Sequence, residues 1–261
     1  MKKKYIFFDI DGTLTDRSTG QIVPSAQKAL NRLQEAGHFV AIATGRAHYK
    51  ARPFMEKAGL KNMVCCGGGA LVVDNELYHN IPLDRKKALT IIHQAEELGI
   101  GILMMLDDSV DCYAKNDLFR EQVGERKEPT RYVIDPELDF DSVKEIYKIY
   151  LSVSKEAEEK LSSRTLLGNL RFVPEYLMFQ YDEKRQGILD MLEVTGGNPE
   201  DVIVFGDDDN DLVMFDPQWL SIAMGNASSK LKEKAAYITA ANVDDGIYKA
   251  CDHFNLFEKT E

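Results

Sequence analysis

The chain is 261 residues long, 44% hydrophobic and 29% charged. That length favours two domains over one, suffices to bury a core without disulfides, and with this composition excludes wholesale disorder. Lys and Arg total 32 against 43 Asp and Glu, a formal charge of −11, so the general field repels a nucleic-acid backbone, and an anionic substrate must be met by a local cation cluster or a metal.

The N-terminal MKKK imitates the basic start of a signal peptide. Asp9 cuts the apolar run 5–8 far short of one, and no stretch is long enough to span a membrane. The sequence therefore reads as cytoplasmic. Cys65, Cys66, Cys112 and Cys251 have neither disulfide-framework nor zinc spacing and read as buried reduced thiols.

The continuous apolar run Tyr5-Ile6-Phe7-Phe8 predicts a strand buried on both faces of a parallel sheet. Pro24 opens a helix with Ala26, Ala29, Leu30, Leu33 and Ala36 at helical spacing, closed by Gly37. A strand over 39–43, a helix over 46–58 and a strand over 63–66 complete a β-α-β-α-β order, the signature of a doubly wound α/β core. Residues 71–73 and 77–79 flank Asp74-Asn75-Glu76 as a hairpin.

From 82 to 183 the pattern changes. Helices predicted over 84–98, 141–149 and 155–162 mix with short strands such as 102–106, 169–173 and 177–181. The strand–helix rhythm then returns with a helix over 186–194, a strand over 202–205, a helix near 210–215 and a strand over 220–223. A helix near 228–235 and a last strand and helix follow. The segment 82–183 thus reads as an α+β unit inserted into one Rossmann-like parallel-sheet core, made of 1–81 and 184–261.

Four clusters carry chemistry. Asp9 and Asp11, in FFDIDGT, end the first strand. Residues i and i+2 of extended chain point to one side, so both carboxylates can reach one point, and Gly12 allows a sharp turn with N–H groups left for an anion. Thr44, in Ala43-Thr44-Gly45-Arg46, either caps the following helix or forms an anion site with neighbouring N–H groups. Lys184, taken alone, reads as solvated. In Gly206-Asp207-Asp208-Asp209-Asn210-Asp211 crowded carboxylates repel unless a divalent cation relieves them, and oxygen ligands with room for water suit Mg²⁺ better than a calcium loop.

In this order, DIDGT at 9–13, Thr44, Lys184 and GDDDND at 206–211 resemble the four motifs of the haloacid dehalogenase-like phosphohydrolases. The large insert between the second and third motifs is similar to the Cof-type branch, as are Thr44-Gly45-Arg46, Ala223-Met224-Gly225-Asn226-Ala227 and Asp245-Gly246-Ile247. Two stretches depart from that branch: Gly67-Gly68-Gly69-Ala70, where Asn-Gly-Ala is common, and Lys184-Arg185-Gln186-Gly187, where the lysine and glycine are often adjacent.

The resemblance implies Asp9 as a nucleophile that becomes an aspartyl-phosphate and Asp11 as general acid, then base. It implies Mg²⁺ held by Asp9, the carbonyl of Asp11, Asp207 and, directly or through water, Asp211. Thr44, Gly45, Arg46, Lys184 and Asn210 would hold phosphoryl oxygens. The implied activity is hydrolysis of small phosphomonoesters, sugar phosphates foremost, with 82–183 as a cap that selects the substrate. No nucleic-acid or membrane partner is implied, and the protein would be a monomer or small homo-oligomer. Two other activities fit parts of the pattern. One is a sugar phosphomutase of the same superfamily, which moves the phosphate rather than releasing it. The other is a non-catalytic phosphate-accepting signalling domain, although such domains lack the D-x-D-G-T run and the insert.

Overall fold

The structure, a computed structural model, describes residues 2–260 apart from the side chain of Phe172. Its chain divides into two units, Met1–Asn80 with Glu183–Glu261, and Ile81–Asp182. The insert begins and ends one residue earlier than the sequence suggested. At the return, the Glu183 N–H donates to the Gly67 carbonyl at 2.7 Å, which fastens Glu183 to the first unit.

In chain order the first unit runs β1 (Tyr5–Phe8), α1 (Pro24–Glu35), β2 (Phe39–Ala43), α2 (His48–Lys57), β3 (Met63–Cys65), β4 (Ala70–Val73) and β5 (Glu76–Asn80). The second unit holds α3 (Arg85–Glu97), β6 (Ile102–Met105), β7 (Asp111–Ala114), α4 (Leu118–Val123), β8 (Arg131–Ile134), β9 (Lys148–Leu151), β10 (Asn169–Val173) and β11 (Tyr176–Phe179). The first unit resumes with α5 (Lys184–Thr195), β12 (Val202–Gly206), β13 (Leu220–Ala223), α6 (Ser229–Lys234), β14 (Tyr237–Ile238) and α7 (Gly246–His253).

The first unit's eight-stranded sheet has the order β14-β13-β12-β1-β2-β3-β4-β5. It is parallel from β14 to β3 and ends in the antiparallel β4–β5 hairpin. This is the doubly wound α/β core that the apolar runs predicted. Tyr5 and Phe7 of β1 join Ile188, Met191 and Val204 in one core, while Ile6 and Phe8 are fully buried on the other side. A strand covered on both faces has no polar alternation to show. The chain runs from β1 to β2 and β3 on one flank and from β12 to β13 and β14 on the other, so the carboxyl ends of β1 and β12 border the topological switch point, where open α/β sheets bind ligands.

The second unit has a six-stranded sheet, β10-β11-β9-β6-β7-β8, antiparallel except at β7–β8. Helix α3 buries Ala88, Ile91, Ile92 and Ala95 in a core shared with Met104, Ile149, Leu151 and Phe179. The helices predicted over 141–149 and 155–162 do not form. Short 3₁₀ turns cover Phe140–Ser142, Glu158–Lys160 and Ser162–Leu166, and Lys148–Leu151 is a strand. Val143, Ile146 and Ile149 do fit a helical period. Pairing of β9 with both β6 and β11 overrides it, and Ile149 and Leu151 enter the core as alternate residues of a strand. All four cysteines are buried and free of disulfides. Among the described residues no helix is long and apolar enough to cross a membrane.

Candidate active site

The sheet register carries three acids to neighbouring strand ends. Beyond β1, the Asp9 N–H donates to the Phe205 carbonyl of β12 at 3.0 Å, which holds Asp9 beside the strand that leads into Asp207. Asp9 is only 5% exposed. Its Oδ2 accepts the Asp11 N–H at 2.9 Å, and its Oδ1 receives Lys184 Nζ at 3.0 Å. The same ammonium lies 2.6 Å from Asp211 Oδ1. Asp211 Oδ2 accepts the N–H groups of Asp207 and Asp208 at 3.0 and 3.2 Å, closing the acidic turn around itself. Thr13 Oγ1 donates to Asp207 Oδ1 at 2.9 Å.

Asp9, Asp207 and Asp211 are all buried, with a carboxylate oxygen of each within 4.8 Å of the others. Lys184, which the sequence alone suggested to be solvated, is the first residue of α5 and is 1% exposed. The nearby acids explain its burial, since an ammonium out of water needs carboxylates around it.

The electrostatics show a site short of positive charge. Burial, and next the charge of Asp211, push the Asp9 carboxyl up to about 8 despite the pull of Lys184. Burial and Asp211 likewise push Asp207 up to about 6, against Arg17 and Thr13. For Lys184, burial acts to lower the pKa, but Asp211 and Asp9 outweigh it and the ammonium is held well above its ordinary range. Three buried carboxylates that offer only oxygen donors, two of them paired with one buried ammonium, fit a hard divalent cation such as Mg²⁺.

Asp11 behaves differently from Asp9. The spacing suggested that the two carboxylates reach one point, yet Asp11 is exposed and faces Arg46. Arg46 Nε and Nη2 grip its two oxygens at 2.9 and 2.5 Å in a bidentate fork. Burial acts to raise the Asp11 pKa, but Arg46, with Lys50 and Arg17 behind it, brings it below the ordinary carboxylate value.

Arg46 and Thr44 sit in the loop after β2. Thr44 is 1% exposed and its Oγ1 accepts the Arg46 N–H at 3.2 Å. It is not a helix cap, because α2 starts only at His48, after Ala47. Gly67 and Cys66 donate their N–H groups to the carbonyls of Thr44 and Arg46, so the loop is braced from β3's side of the sheet. Gly45 lies between those two residues, half-buried. Asn210 lies half-buried in a 3₁₀ turn, Asp209–Met214, where the sequence suggested an ordinary helix. Its side chain takes no part in the hydrogen bonds that join Asp9, Lys184, Asp207 and Asp211.

Three contributors escaped the sequence reading: Thr13, Arg17 and the role of Asn226. Arg17 Nη2 lies 2.7 Å from Asp207 Oδ2 and 3.0 Å from Asp208 Oδ2. Asn226 Nδ2 donates to the Gly12 carbonyl at 2.9 Å, and its Oδ1 accepts the Asn242 N–H at 2.9 Å. Asn226 thereby braces the loop after Asp9. Its place in Ala223–Ala227 was the only sequence signal. The glycine-rich departure also has a steric cause. At Gly68, which has φ +106°, an added Cβ would lie 2.3 Å from the Glu183 carbonyl oxygen and 2.9 Å from the Lys184 nitrogen. A Cβ at Gly187 would lie 2.9 Å from Gly68 Cα. These two glycines let the start of α5 come close enough for Lys184 to reach the acids.

The family model described as haloacid dehalogenase-like hydrolase matches residues 6–251. YkrA of Bacillus subtilis, named as a candidate phosphatase, is 30% identical over 272 residues, covering 99% of this chain and 100% of its own. The pyridoxal phosphate phosphatase YbhA of Escherichia coli is 27% identical over 265 residues, covering 95% of this chain and 97% of its own. Among solved structures, the sugar phosphatase BT4131 of subclass IIB superposes with a TM-score of 0.78 at 24% identity, over 97% of this chain and 100% of that one, a likeness of fold.

Proposed function

The chain belongs to the haloacid dehalogenase-like hydrolase family and is a phosphatase, and from that premise we propose a Mg²⁺-dependent hydrolase of small phosphomonoesters, sugar phosphates foremost, that works through an aspartyl-phosphate on Asp9. The observation that carries this reading is the buried Lys184 ammonium between Asp9 and Asp211, at the carboxyl end of β1 and beside Asp207.

Asp9 and Asp207 would hold Mg²⁺, with the Asp11 carbonyl. Asp211, whose Oδ1 faces Lys184 and whose Oδ2 takes two N–H groups, is better suited to hold Lys184 and the acidic turn than to ligate directly. When bound, Mg²⁺ neutralises the charge between phosphate and carboxylates and polarises a phosphoryl oxygen. Lys184, Thr44, the Gly45 N–H, Arg46 and Asn210 would meet the remaining phosphoryl charge.

An Asp9 oxygen attacks phosphorus as the bond from phosphorus to the leaving oxygen breaks, and Asp11 gives that oxygen its proton. Asp11, now a carboxylate, takes a proton from water. The water oxygen attacks phosphorus, the bond to Asp9 breaks, and inorganic phosphate leaves. The Arg46 fork bears on this cycle, because it holds Asp11 ionised. A phosphate dianion that draws Arg46 away removes that hold and lets Asp11 gain the proton it must donate.

Phosphate release is tested over a panel of sugar phosphates, nucleotides and cofactor phosphates, with chelator and with Mg²⁺. Release that chelation silences and Mg²⁺ restores is expected. Full activity in a metal-free preparation, or phosphate moved within a sugar and never released, overturns the proposal.

A further inference from the structure

We propose that Arg17 is a competing cation at Asp207, which Mg²⁺ must displace in order to bind. The inference rests on the reading of Asp207 as a Mg²⁺ ligand. Arg17 Nη2 lies 2.7 Å from Asp207 Oδ2 and 3.0 Å from Asp208 Oδ2. The Asp207 side chain is 1% exposed and that of Arg17 58%, so the guanidinium reaches a buried carboxylate from the solvent side.

The approach is built into the loop. Gly12, at φ +93°, has no side chain to block it, and a Cβ there would lie 2.4 Å from Arg17 Nε and 2.3 Å from Asp207 Oδ2. The neighbouring Asp16 is fixed in a tight turn. Its N–H donates to the Gln21 carbonyl at 3.0 Å, its carbonyl accepts the Gly20 N–H at 2.8 Å, and its Oδ1 accepts the Ser18 N–H at 2.8 Å. Arg17 therefore starts from an ordered backbone, and only its side chain has to move.

Asp207 has two oxygens, and both are engaged. Oδ1 takes the buried Thr13 hydroxyl, and Oδ2 takes the solvent-side Arg17. A neutral hydroxyl can stay beside a metal-bound carboxylate. A guanidinium at hydrogen-bond distance from the same oxygen cannot stay without close like-charge repulsion. Binding is thus an exchange of one cation for another, and the Arg17 ion pair subtracts from the affinity for Mg²⁺. The exchange also releases a guanidinium at the rim of the site each time the ion enters.

The test is calorimetric titration of Mg²⁺ alone into the metal-free full-length protein, with no substrate and no turnover. Arg17→Gln should bind Mg²⁺ on the order of fivefold more tightly than the wild type, the scale of a partly exposed ion pair. Lys230→Gln is the control. It removes a cation that sits 2.9 Å from Asp209 in the same acidic turn but does not touch Asp207, and it should leave the Mg²⁺ affinity unchanged. An Arg17→Gln affinity equal to or weaker than wild type overturns the inference, as does an equal gain in Lys230→Gln, which would trace the effect to the general field. If the wild type binds no Mg²⁺ at all, the metal reading of Asp207 fails and this inference with it. If the wild type binds and Arg17→Gln matches it, only this inference fails.

Discussion

Lys184→Met keeps the buried stem and removes the ammonium, so it isolates a charge from the packing around it. The side chain is 2% exposed, and Nζ lies 3.0 Å from Asp9 and 2.6 Å from Asp211. Deleting one partner of a buried ion pair costs ~3–5 kcal/mol. Two carboxylates at the 4.8 Å limit of this cluster repel by ~3.5 kcal/mol at an effective dielectric of ~20, which is the same size. At ~2–4 °C per kcal/mol for a chain of this length, the metal-free variant should melt ~6–20 °C below the wild type at about pH 9.5, where Asp9 beside Lys184 is ionised.

The penalty should shrink towards pH 5. The folded-state pKa of Asp9, about 8, lies well above the ordinary carboxylate value that it takes in the unfolded chain. Such a group contributes stability that is present below the unfolded pKa and is lost as pH rises through the folded one. Lys184 pulls the Asp9 pKa down, so its removal raises that pKa further and deepens the loss above about pH 8, by ~1.4 kcal/mol for each further pH unit. At pH 5 Asp9 is protonated with or without Lys184, and the part of the cost that its charge carries is absent. Differential scanning calorimetry in chelator at the two pH values makes the comparison. A fall of equal size at both would refute the reasoning, because lost packing does not titrate. So would a fall under ~3 °C at about pH 9.5.

Further expectations concern neighbouring groups. Asp11→Asn should lower kcat/KM by ~10²–10⁴-fold on a sugar phosphate and far less on p-nitrophenyl phosphate, whose phenolate needs little protonation; equal losses at saturating Mg²⁺ would reduce Asp11 to a positioning role. Asp207→Asn should weaken Mg²⁺ binding at least ~10-fold in a calorimetric titration while Asp208→Asn does not weaken it, and matching behaviour would misplace the ligand. Gly68→Ala forces a Cβ to within 2.3 Å of the Glu183 carbonyl at a left-handed φ. It should cost ~1–3 kcal/mol in denaturant unfolding, and an unshifted midpoint would show that the α5 start yields freely.

Most of the first unit was legible because its strands are buried on both faces and its turns carry Gly, Pro or Asp where the chain reverses. Asp9, Asp207 and Lys184 were legible only together. None has a decisive local signal, and Lys184 read alone pointed the wrong way because burial of a lysine depends on acids elsewhere in the chain. The failures have the same root. Lys148–Leu151 fits a helix by period and becomes a strand through partners on both edges. Arg17 reaches an aspartate 190 positions away through a gap left by Gly12, and no spacing rule records such a meeting. The Arg46 fork on Asp11 was likewise out of reach, because adjacency to a motif does not say which acid a guanidinium faces.

The central position of β1 also bears on how the protein is made. Its residues pair on one side with β2, Tyr5 opposite Phe39, and on the other with β12, Tyr5 opposite Val202. A chain synthesised from the N-terminus has β1 and β2 in hand early but lacks β12 until the whole insert has been translated. The insert is contiguous and carries its own sheet and core, so its contacts close over shorter stretches of chain and have the kinetic advantage. β1, which leads into Asp9, therefore emerges long before β12 and is among the last strands to gain both neighbours. For that interval its unpaired apolar edge is what a chaperone, or another nascent chain, would meet.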